Sequence, residues 1–233
     1  WQCIYSFAAS NIDLFTNFKN NVEYCEILKI EKTYRNSQEL IDIAGKFIQK
    51  NKNQIEKKLV SKKKLKYPIT ILKYNPNKMK KTLKKALNYI IEKYGLKKNI
   101  LILGRYTFDK NKIIDEDIIN IEDKIIYKKY PEQKIDYLTV HSSKGLGYDN
   151  VILINAEDDI LGFPSKIKTD PILEPLITQD KTIPYSEERR LFYVALTRTK
   201  NEIIILTPKY NPSIFIREIK KNPNIKNKSN KIK

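Results

Sequence analysis

The sequence predicts an α/β fold in which a parallel β-sheet is flanked by helices. Six short runs rich in β-branched residues alternate with segments of helical periodicity. Most of these runs are almost continuously apolar, which is typical of strands buried on both faces of a parallel sheet. Right-handed crossovers are therefore expected between them. The candidate strands are Ile27–Glu31, Ile69–Lys73, Ile100–Leu103, Tyr137–Val140, Val151–Asn155 and Ile203–Leu206.

Four segments have the features of helices. In the first, apolar residues from Leu40 to Ile48 recur at helical spacing and form one stripe. Ser186 and Ser213 are suited to the N-cap positions of the last two. The segment after Asn222 is predicted to be disordered. Residues 51–66 are lysine-rich and are predicted to form a surface loop or a solvated helix end, and residues 105–134 are charged and without clear periodicity. The predicted helices are Ser37–Lys50, Lys78–Tyr94, Ser186–Leu196 and Ser213–Lys221.

The chain of 233 residues carries a formal net charge of +18. This charge favours attraction to a polyanion such as nucleic acid, although a general bias towards lysine explains it equally well. No run approaches the roughly 20 apolar residues that span a bilayer, and no signal peptide is present. We therefore expect no membrane contact and a cytoplasmic location. No Cys/His cluster has metal-ligand spacing, so no metal site is expected in the chain itself.

Arginine is scarce in this lysine-rich chain, so the positions that keep it are informative. Of six arginines, Arg189, Arg190 and Arg198 lie within ten residues of one another. Arg198 follows a predicted helix and precedes a buried strand, at the edge of the sheet, where α/β folds place ligand-contacting groups. A fixed guanidinium there could stabilise a transferring phosphoryl group. The alternative is a surface arginine paired with Glu187 or Glu188.

A second segment, residues 135–156, ends a predicted strand at His141. Ser142, Ser143 and Lys144 follow, and then a glycine. Small hydroxyl residues at a strand end can expose backbone N–H groups to an anion such as a DNA phosphate. The alternative is a tight turn in which His141 caps the strand and Lys144 is solvated.

Two further segments carry aromatic residues suited to nucleic-acid chemistry. Tyr34 and Arg35 precede a helix, where the ring could stack on a base and the guanidinium could reach phosphate. Tyr5 and Phe7 alternate in a segment predicted to be extended, so both rings could stack on unpaired bases. Simple core packing or surface exposure is the alternative for each. The phosphate-loop pattern GxxxxGK[ST] is absent from the sequence.

Together and in this order, the four segments resemble motifs III to VI of superfamily 1A helicases of the UvrD/Rep type. The most specific string is EERRLFYVALTR, followed by TVHSSKG with the later GFPS. The interval from Tyr34 to Thr139 is too short for a large inserted subdomain, which favours the helicase IV branch. The resemblance implies a RecA-like sheet, the second motor domain of a P-loop NTPase that lacks its own Walker A segment.

The resemblance also implies roles for individual residues. Arg198 is similar to the arginine finger, Arg35 to an arginine on the γ-phosphate, and Gln2 to a glutamine that senses it. Tyr34 resembles the residue that packs on adenine. The residues implied to contact DNA are Tyr5, Phe7, His141, Ser142, Ser143 and Lys144. The family commonly has arginine where Ala8 stands and glutamate where Gly147 stands, so a bridging contact and a ribose contact at these positions are in doubt.

The implied machine is an ATP-dependent 3′ to 5′ DNA helicase acting on single-stranded and duplex DNA. Its N-terminal RecA-like domain would hold ATP and Mg²⁺, so we expect the chain to be part of a longer protein and inactive alone. The expected division is residues 1–26 as a motif III segment and linker, 27–221 as the RecA-like C-terminal domain, and 222–233 as a disordered basic tail. The alternatives are a helicase-like factor acting on RNA polymerase and a non-catalytic basic nucleic-acid-binding module.

Overall fold

The computed structural model of the chain describes residues 1–4, 24, 26, 28, 30–51, 54, 56–167 and 184–229. Within these ranges one eight-stranded sheet is flanked by helices on both faces. The strands are β1 (Ile69–Tyr74), β2 (Ile100–Gly104), β3 (Ile118–Ile121), β4 (Lys124–Tyr127), β5 (Ile135–Thr139), β6 (Asn150–Leu153), β7 (Ile203–Pro208) and β8 (Ile225–Ser229). The helices are α1 (Gln38–Ile48), α2 (Met79–Tyr94), α3 (Ser186–Leu196) and α4 (Ile214–Ile219), with a 3-10 helix at Thr107–Lys112.

The sheet has the strand order β3-β4-β5-β2-β6-β7-β1-β8. The six strands from β5 to β8 run parallel, which confirms the predicted parallel sheet. The hairpin β3–β4 adds two antiparallel strands at one edge. The sheet is therefore mixed, with its parallel part buried between helices.

The structure corrects the sequence analysis at both sheet edges. The segment after Asn222, predicted to be disordered, forms β8 as far as Ser229, because β1 offers a free edge and Ile225 is buried against it. The hairpin β3–β4 lies in the stretch without periodicity. The strand predicted at Ile27–Glu31 is absent from its described residues, which are exposed, and the pairing found here is a bridge from Lys32 to Val60.

Two apolar clusters fix the helices on the sheet. Helices α1, α3 and α4 cover one face, where the rings of Phe47, Phe192 and Phe215 pack with centroids 5.1–5.3 Å apart. Helix α2 covers the other face through Leu83 and Leu87, among others. No helix in the described ranges is both long and apolar enough to cross a bilayer.

Two of the helix N-caps are serines, whereas the N-cap predicted at Ser186 differs in the structure. The Ser37 hydroxyl accepts a hydrogen bond from the Leu40 N–H (3.4 Å), and the Ser213 hydroxyl accepts one from Phe215 (3.2 Å). At α3, Tyr185 occupies the N-cap in a left-handed conformation (φ 59°), and Ser186 is already the first helical residue. The predicted cap at Ser186 is therefore wrong.

The first four residues lie against the helical face of the domain. Ile4 is fully buried in the cluster of α1 and α3, and the Trp1 ring meets Tyr193 edge-on at 5.4 Å. Arg190 donates from Nε to the Cys3 carbonyl at 2.6 Å. Residues 5–23 lie outside the described ranges, so the assignment of 1–26 to a segment of another domain stays a prediction.

Two glycines give opposite predictions for stability. In the turn before Pro164, a Cβ on Gly162 would collide with the Glu157 carbonyl oxygen and lie 2.8 Å from the Asp159 nitrogen. We expect Gly162→Ala to lower the free energy of unfolding by about 1–3 kcal/mol, because backbone must shift. Gly45→Ala in α1 meets nothing nearer than Trp1 at 4.0 Å and should raise it by about 0.5–1 kcal/mol. Urea unfolding of both variants checks this, and equal effects would contradict it.

Candidate functional site

One cleft is lined by all four residues that the sequence assigns to a nucleotide: Gln2, Tyr34, Arg35 and Arg198. It has a volume of about 640 Å³ and lies between residues 1–4, the segment before α1 and the end of α3. Its described lining contains four cationic side chains and no carboxylate. Uncompensated positive charge in a concave site favours an anionic ligand. The full lining is Trp1, Gln2, Ile30, Lys32, Thr33, Tyr34, Arg35, Asn36, Ile41, Lys57, Leu59, Tyr193, Thr197 and Arg198.

Asn36, which the sequence analysis missed, brings Arg35 to Arg198. Its buried amide donates to the carbonyls of Thr199 (2.6 Å) and Thr197 (3.3 Å). These bonds tie the segment before α1 to the junction of α3 and β7. The available signal was an amide residue next to Arg35, which by itself does not reveal a partner more than 160 positions away.

The Arg35 guanidinium lies directly against Gly147. A Cβ at position 147 would be 2.9 Å from Arg35 Nε and 3.2 Å from Cζ. Any side chain there would displace the guanidinium, so glycine at this position determines where Arg35 lies. Tyr34 beside it is 82% exposed, with the Lys32 ammonium 5.2 Å from its ring centroid.

Arg198 is almost completely buried, at 1% exposure. Its Nε donates to the Val194 carbonyl (2.9 Å) and one terminal nitrogen donates to the carbonyls of Leu146 (3.1 Å) and Ser143 (3.4 Å). The other terminal nitrogen donates to the Thr197 hydroxyl (3.2 Å). These bonds use four of the five guanidinium N–H groups, so among the described residues one N–H remains for a ligand.

The surroundings of Arg198 disfavour the positively charged form of its guanidinium. Burial, and then the charge of Arg35, lower its pKa to about 10, and Tyr193 partly opposes this shift. The guanidinium remains charged at neutral pH. An anion in the cleft would relieve the repulsion between the two arginines.

The structure also corrects the position of Arg198 on the sheet. Arg198 precedes the amino-terminal end of β7, whereas His141 follows the carboxyl end of β5, and both strands belong to the parallel part. The two predicted sites therefore lie at opposite edges of the parallel sheet, Arg198 at the amino-terminal edge of the strands and His141 at the carboxyl-terminal edge. Residues 141–147, here called the His141 loop, run from the carboxyl-terminal edge towards the amino-terminal edge. Arg198 holds this loop at Ser143 and Leu146.

The backbone of the His141 loop is not open to an anion as predicted. The N–H groups of Ser142, Ser143 and Lys144 already donate within the turn, to Thr139 and His141. Ser143 is fully buried and its hydroxyl donates to the Val140 carbonyl at 2.7 Å. Its predicted DNA contact is therefore replaced by a structural role. Ser142 is exposed, and His141 and Lys144 are half-buried.

A second missed cluster lies beside His141. Arg105 forms a forked ion pair with Glu188, at 2.5 Å from the terminal nitrogen and 3.0 Å from Nε. Glu188 also accepts from the Ser165 N–H at 3.0 Å. Glu188, considered in the sequence analysis as a partner of Arg198, instead ties α3 to the carboxyl end of β2. The signal that could have found Arg105 was the scarcity of arginine itself.

Three residues of the sequence analysis cannot be placed. Tyr5, Phe7 and Ala8 lie outside the described residues, so the two stacking rings and the bridging position stay predictions.

His141 gives a prediction for stability against pH. Burial, and then the charge of Arg105, lower its pKa to about 4, from 6.5 in an unfolded chain. The folded protein therefore takes up this proton less readily than the unfolded chain does. The resulting stabilisation is complete above pH 6.5 and is lost as pH falls towards 4, by at most about 3 kcal/mol.

Denaturant unfolding of wild type and His141→Gln at several pH values checks this. The free energy of unfolding of wild type should fall relative to that of His141→Gln as pH drops from 6.5 to 4. Parallel curves over that interval would show that His141 keeps an ordinary pKa. Carboxylates titrate in both proteins and cancel in the difference.

Comparison with known proteins gives a consistent family. A family model described as the UvrD-like helicase C-terminal domain matches residues 117–210. DNA helicase IV of Escherichia coli K12 is 32% identical over 94% of this chain, which spans only 30% of that protein. The ATP-dependent DNA helicase Rep of Buchnera aphidicola subsp. Schizaphis graminum is 34% identical over 36% of the chain and 11% of its own length.

A solved structure supports the fold. The C-terminal domain of a possible DNA helicase from Lactobacillus plantarum WCFS1 superimposes with a TM-score of 0.53 at 14% identity, covering 84% of this chain and 98% of that one. The strings that carry the resemblance in the sequence, the RecA-like sheet and these matches agree. Residues 117–210 thus match a UvrD-like helicase C-terminal domain, and the chain is similar to helicases of the UvrD/Rep type in sequence and to a helicase C-terminal domain in fold.

Proposed function

We propose that this chain is the second motor domain of an ATP-dependent DNA helicase that moves 3′ to 5′ on single-stranded DNA and separates duplex. The observation that carries the proposal is the cleft in which Gln2, Arg35 and Arg198 meet without a carboxylate among its described lining. The relatives described above are named as DNA helicases, which favours DNA as the substrate. They give no support to the RNA polymerase factor or the non-catalytic module.

The cleft residues fit a nucleoside triphosphate. Tyr34 offers an exposed ring on which a purine can stack, and Arg35 and Arg198 offer guanidinium groups for phosphate oxygens. Bound ATP supplies a transferable phosphoryl group. Gln2, exposed at the mouth of the cleft, is placed to sense that group through its amide. Arg198 would stabilise charge as it develops, because its position is already fixed by four hydrogen bonds.

The same residues do not fit Mg²⁺. The ion prefers carboxylate and water oxygens, and the described lining of the cleft contains no carboxylate. The sequence has no GxxxxGK[ST] loop for the β-phosphate either. We therefore place the metal ligands, the phosphate loop and the water-activating group on an N-terminal RecA-like domain of the same protein, acting in the cytoplasm.

Nucleotide and DNA are linked in this proposal through the His141 loop. His141, Ser142 and Lys144 would grip the DNA backbone at one edge of the sheet, with Tyr5 and Phe7 stacking on bases. Arg198 donates to two carbonyls of the loop from the cleft side. Movement of its guanidinium therefore displaces the loop, so the states of the cleft and the DNA grip change together.

Arg198→Ala in the full-length protein tests the proposal. We expect DNA-stimulated ATP hydrolysis to fall by about 10³–10⁵-fold, the value of an arginine finger. Single-strand affinity should fall much less than hydrolysis, although the His141 loop loses the hydrogen bonds that Arg198 donates to Ser143 and Leu146. Arg35→Ala, at a less buried position, should lower hydrolysis in the same direction. Arg217→Ala removes an exposed arginine paired with Asp158 and serves as the control. Hydrolysis within a few-fold of wild type in Arg198→Ala would refute the assignment, provided that circular dichroism shows a folded protein.

The purified 233-residue chain should hydrolyse no ATP, with or without single-stranded DNA. The reason is the missing phosphate loop, which no residue of the cleft replaces. A phosphate-release assay checks this, with the full-length protein as positive control. Turnover that copurifies with the chain and responds to DNA would show that the chain carries a complete nucleotide site.

A further inference from the structure

We propose that the stacked rings of Tyr106 and Phe108, at the carboxyl end of β2, are a platform for one unpaired nucleobase. The inference rests on the proposed function, because it extends the DNA contacts beyond the residues assigned above. The two rings are nearly parallel, with an interplanar angle of 8° and centroids 4.9 Å apart. Nucleobases stack on aromatic side chains in this geometry, whatever their sequence.

The outer ring of the pair is available to a ligand. Phe108 is 44% exposed, although its position in a 3-10 helix could have turned it towards the core. Because Tyr106 covers one face, the exposed area belongs to the other face and the rim. A phenyl ring left in water loses the stabilisation of burial, and stacking of a base on it would recover part of that stabilisation.

The inner ring is held rigidly. The Tyr106 hydroxyl donates to the Ser165 hydroxyl at 2.6 Å, and its carbonyl accepts from the Tyr137 hydroxyl at 2.6 Å. The fully buried Asp109 accepts from the Tyr106 N–H at 3.0 Å. On its other side lies the Arg105 guanidinium, 4.8 Å from the ring centroid. A platform fixed in this way loses little conformational entropy when a base binds.

The platform adjoins the predicted DNA grip. Strands β2 and β5 are neighbours, with Gly104 opposite Thr139, and the Val140 N–H donates to the Gly104 carbonyl at 3.0 Å. Tyr106 and His141 therefore leave the same sheet edge side by side. The Lys112 ammonium lies over the Phe108 ring, 6.0 Å from its centroid, and pairs with Asp109 at 3.1 Å, so its charge is largely compensated. A strand held by its backbone at His141 would carry its next base to Phe108.

Three variants of the full-length protein test the platform. Phe108→Leu keeps apolar bulk but removes the π-face, whereas Phe108→Trp enlarges it. Tyr67→Leu is the matched control, because Tyr67 is partly exposed and has the Lys226 ammonium 4.7 Å from its centroid, but it precedes β1, at the opposite end of the parallel strands. The probe is a single-stranded oligonucleotide with 2-aminopurine at one position, whose fluorescence is quenched by stacking.

We expect Phe108→Leu to bind the probe about 5-fold to 100-fold more weakly than wild type, with the quenching lost. Phe108→Trp should restore both, and Tyr67→Leu should resemble wild type. The slope of log affinity against log salt should not change in Phe108→Leu, because no phosphate contact is removed. Unchanged affinity and quenching in Phe108→Leu, or an equal loss in Tyr67→Leu, would overturn the platform. Wild-type protein that fails to bind the probe would instead count against the proposed function.

Discussion

The guanidinium of Arg198 lies buried where α3, β7 and the His141 loop meet, and it donates to carbonyl oxygens from two of these elements. A buried charge is tolerated only when it is hydrogen-bonded, so these carbonyls and the guanidinium require one another. Asn36 adds the segment that carries Arg35 through its bonds to Thr197 and Thr199. The result is two like charges held together by backbone, with no carboxylate among the described residues of the cleft. That arrangement costs stability in the empty domain, and a bound polyanion such as the proposed nucleotide would offset the cost.

Helix α3 connects Arg198, at the amino-terminal edge of the strands, to Arg105 at their carboxyl-terminal edge. Its last turn leads into Arg198, and near its first turn Glu188 is locked to Arg105 at the carboxyl end of β2. An 11-residue helix is about 16 Å long, so the two arginines are tied to one rigid rod. The His141 loop is a second connection between the same edges. A shift at the cleft therefore reaches the DNA edge by two routes, one along the helix and one through the loop, and both begin at Arg198.

Periodicity and motif order predicted most of the fold, because buried parallel strands and amphipathic helices leave a local record in the sequence. Arg35 and Arg198 were predicted to converge, and they line the same cleft. The features that were not predicted depend on contacts between residues far apart in the sequence. Strand β8 exists because β1 has a free edge, Asn36 matters because of carbonyls beyond residue 196, and Arg105 pairs with a glutamate 83 positions away. The prediction that backbone N–H groups beside His141 are open to an anion was wrong for a different reason. The turn there is tight enough to satisfy its own donors, as in the alternative considered at the start.

Because the backbone donors of the turn at residues 142–144 are bonded within it, this edge of the sheet would have to hold nucleic acid by other groups. Backbone N–H groups that already donate to Thr139 and His141 are not free for phosphates, and the hydroxyl of Ser143 is committed to Val140. His141 itself is neutral at physiological pH, since its pKa lies near 4, so it contributes a hydrogen bond but no charge. Arg105 is neutralised by Glu188. The exposed Ser142 hydroxyl also shares a hydrogen bond with the Thr139 hydroxyl (2.9 Å). Little is left for a purely electrostatic grip, and the aromatic pair is the group at this edge best suited to a base. If this edge holds DNA as proposed, a contact of this composition would bind bases by their faces more than the backbone by its charge, and its affinity should depend only weakly on salt.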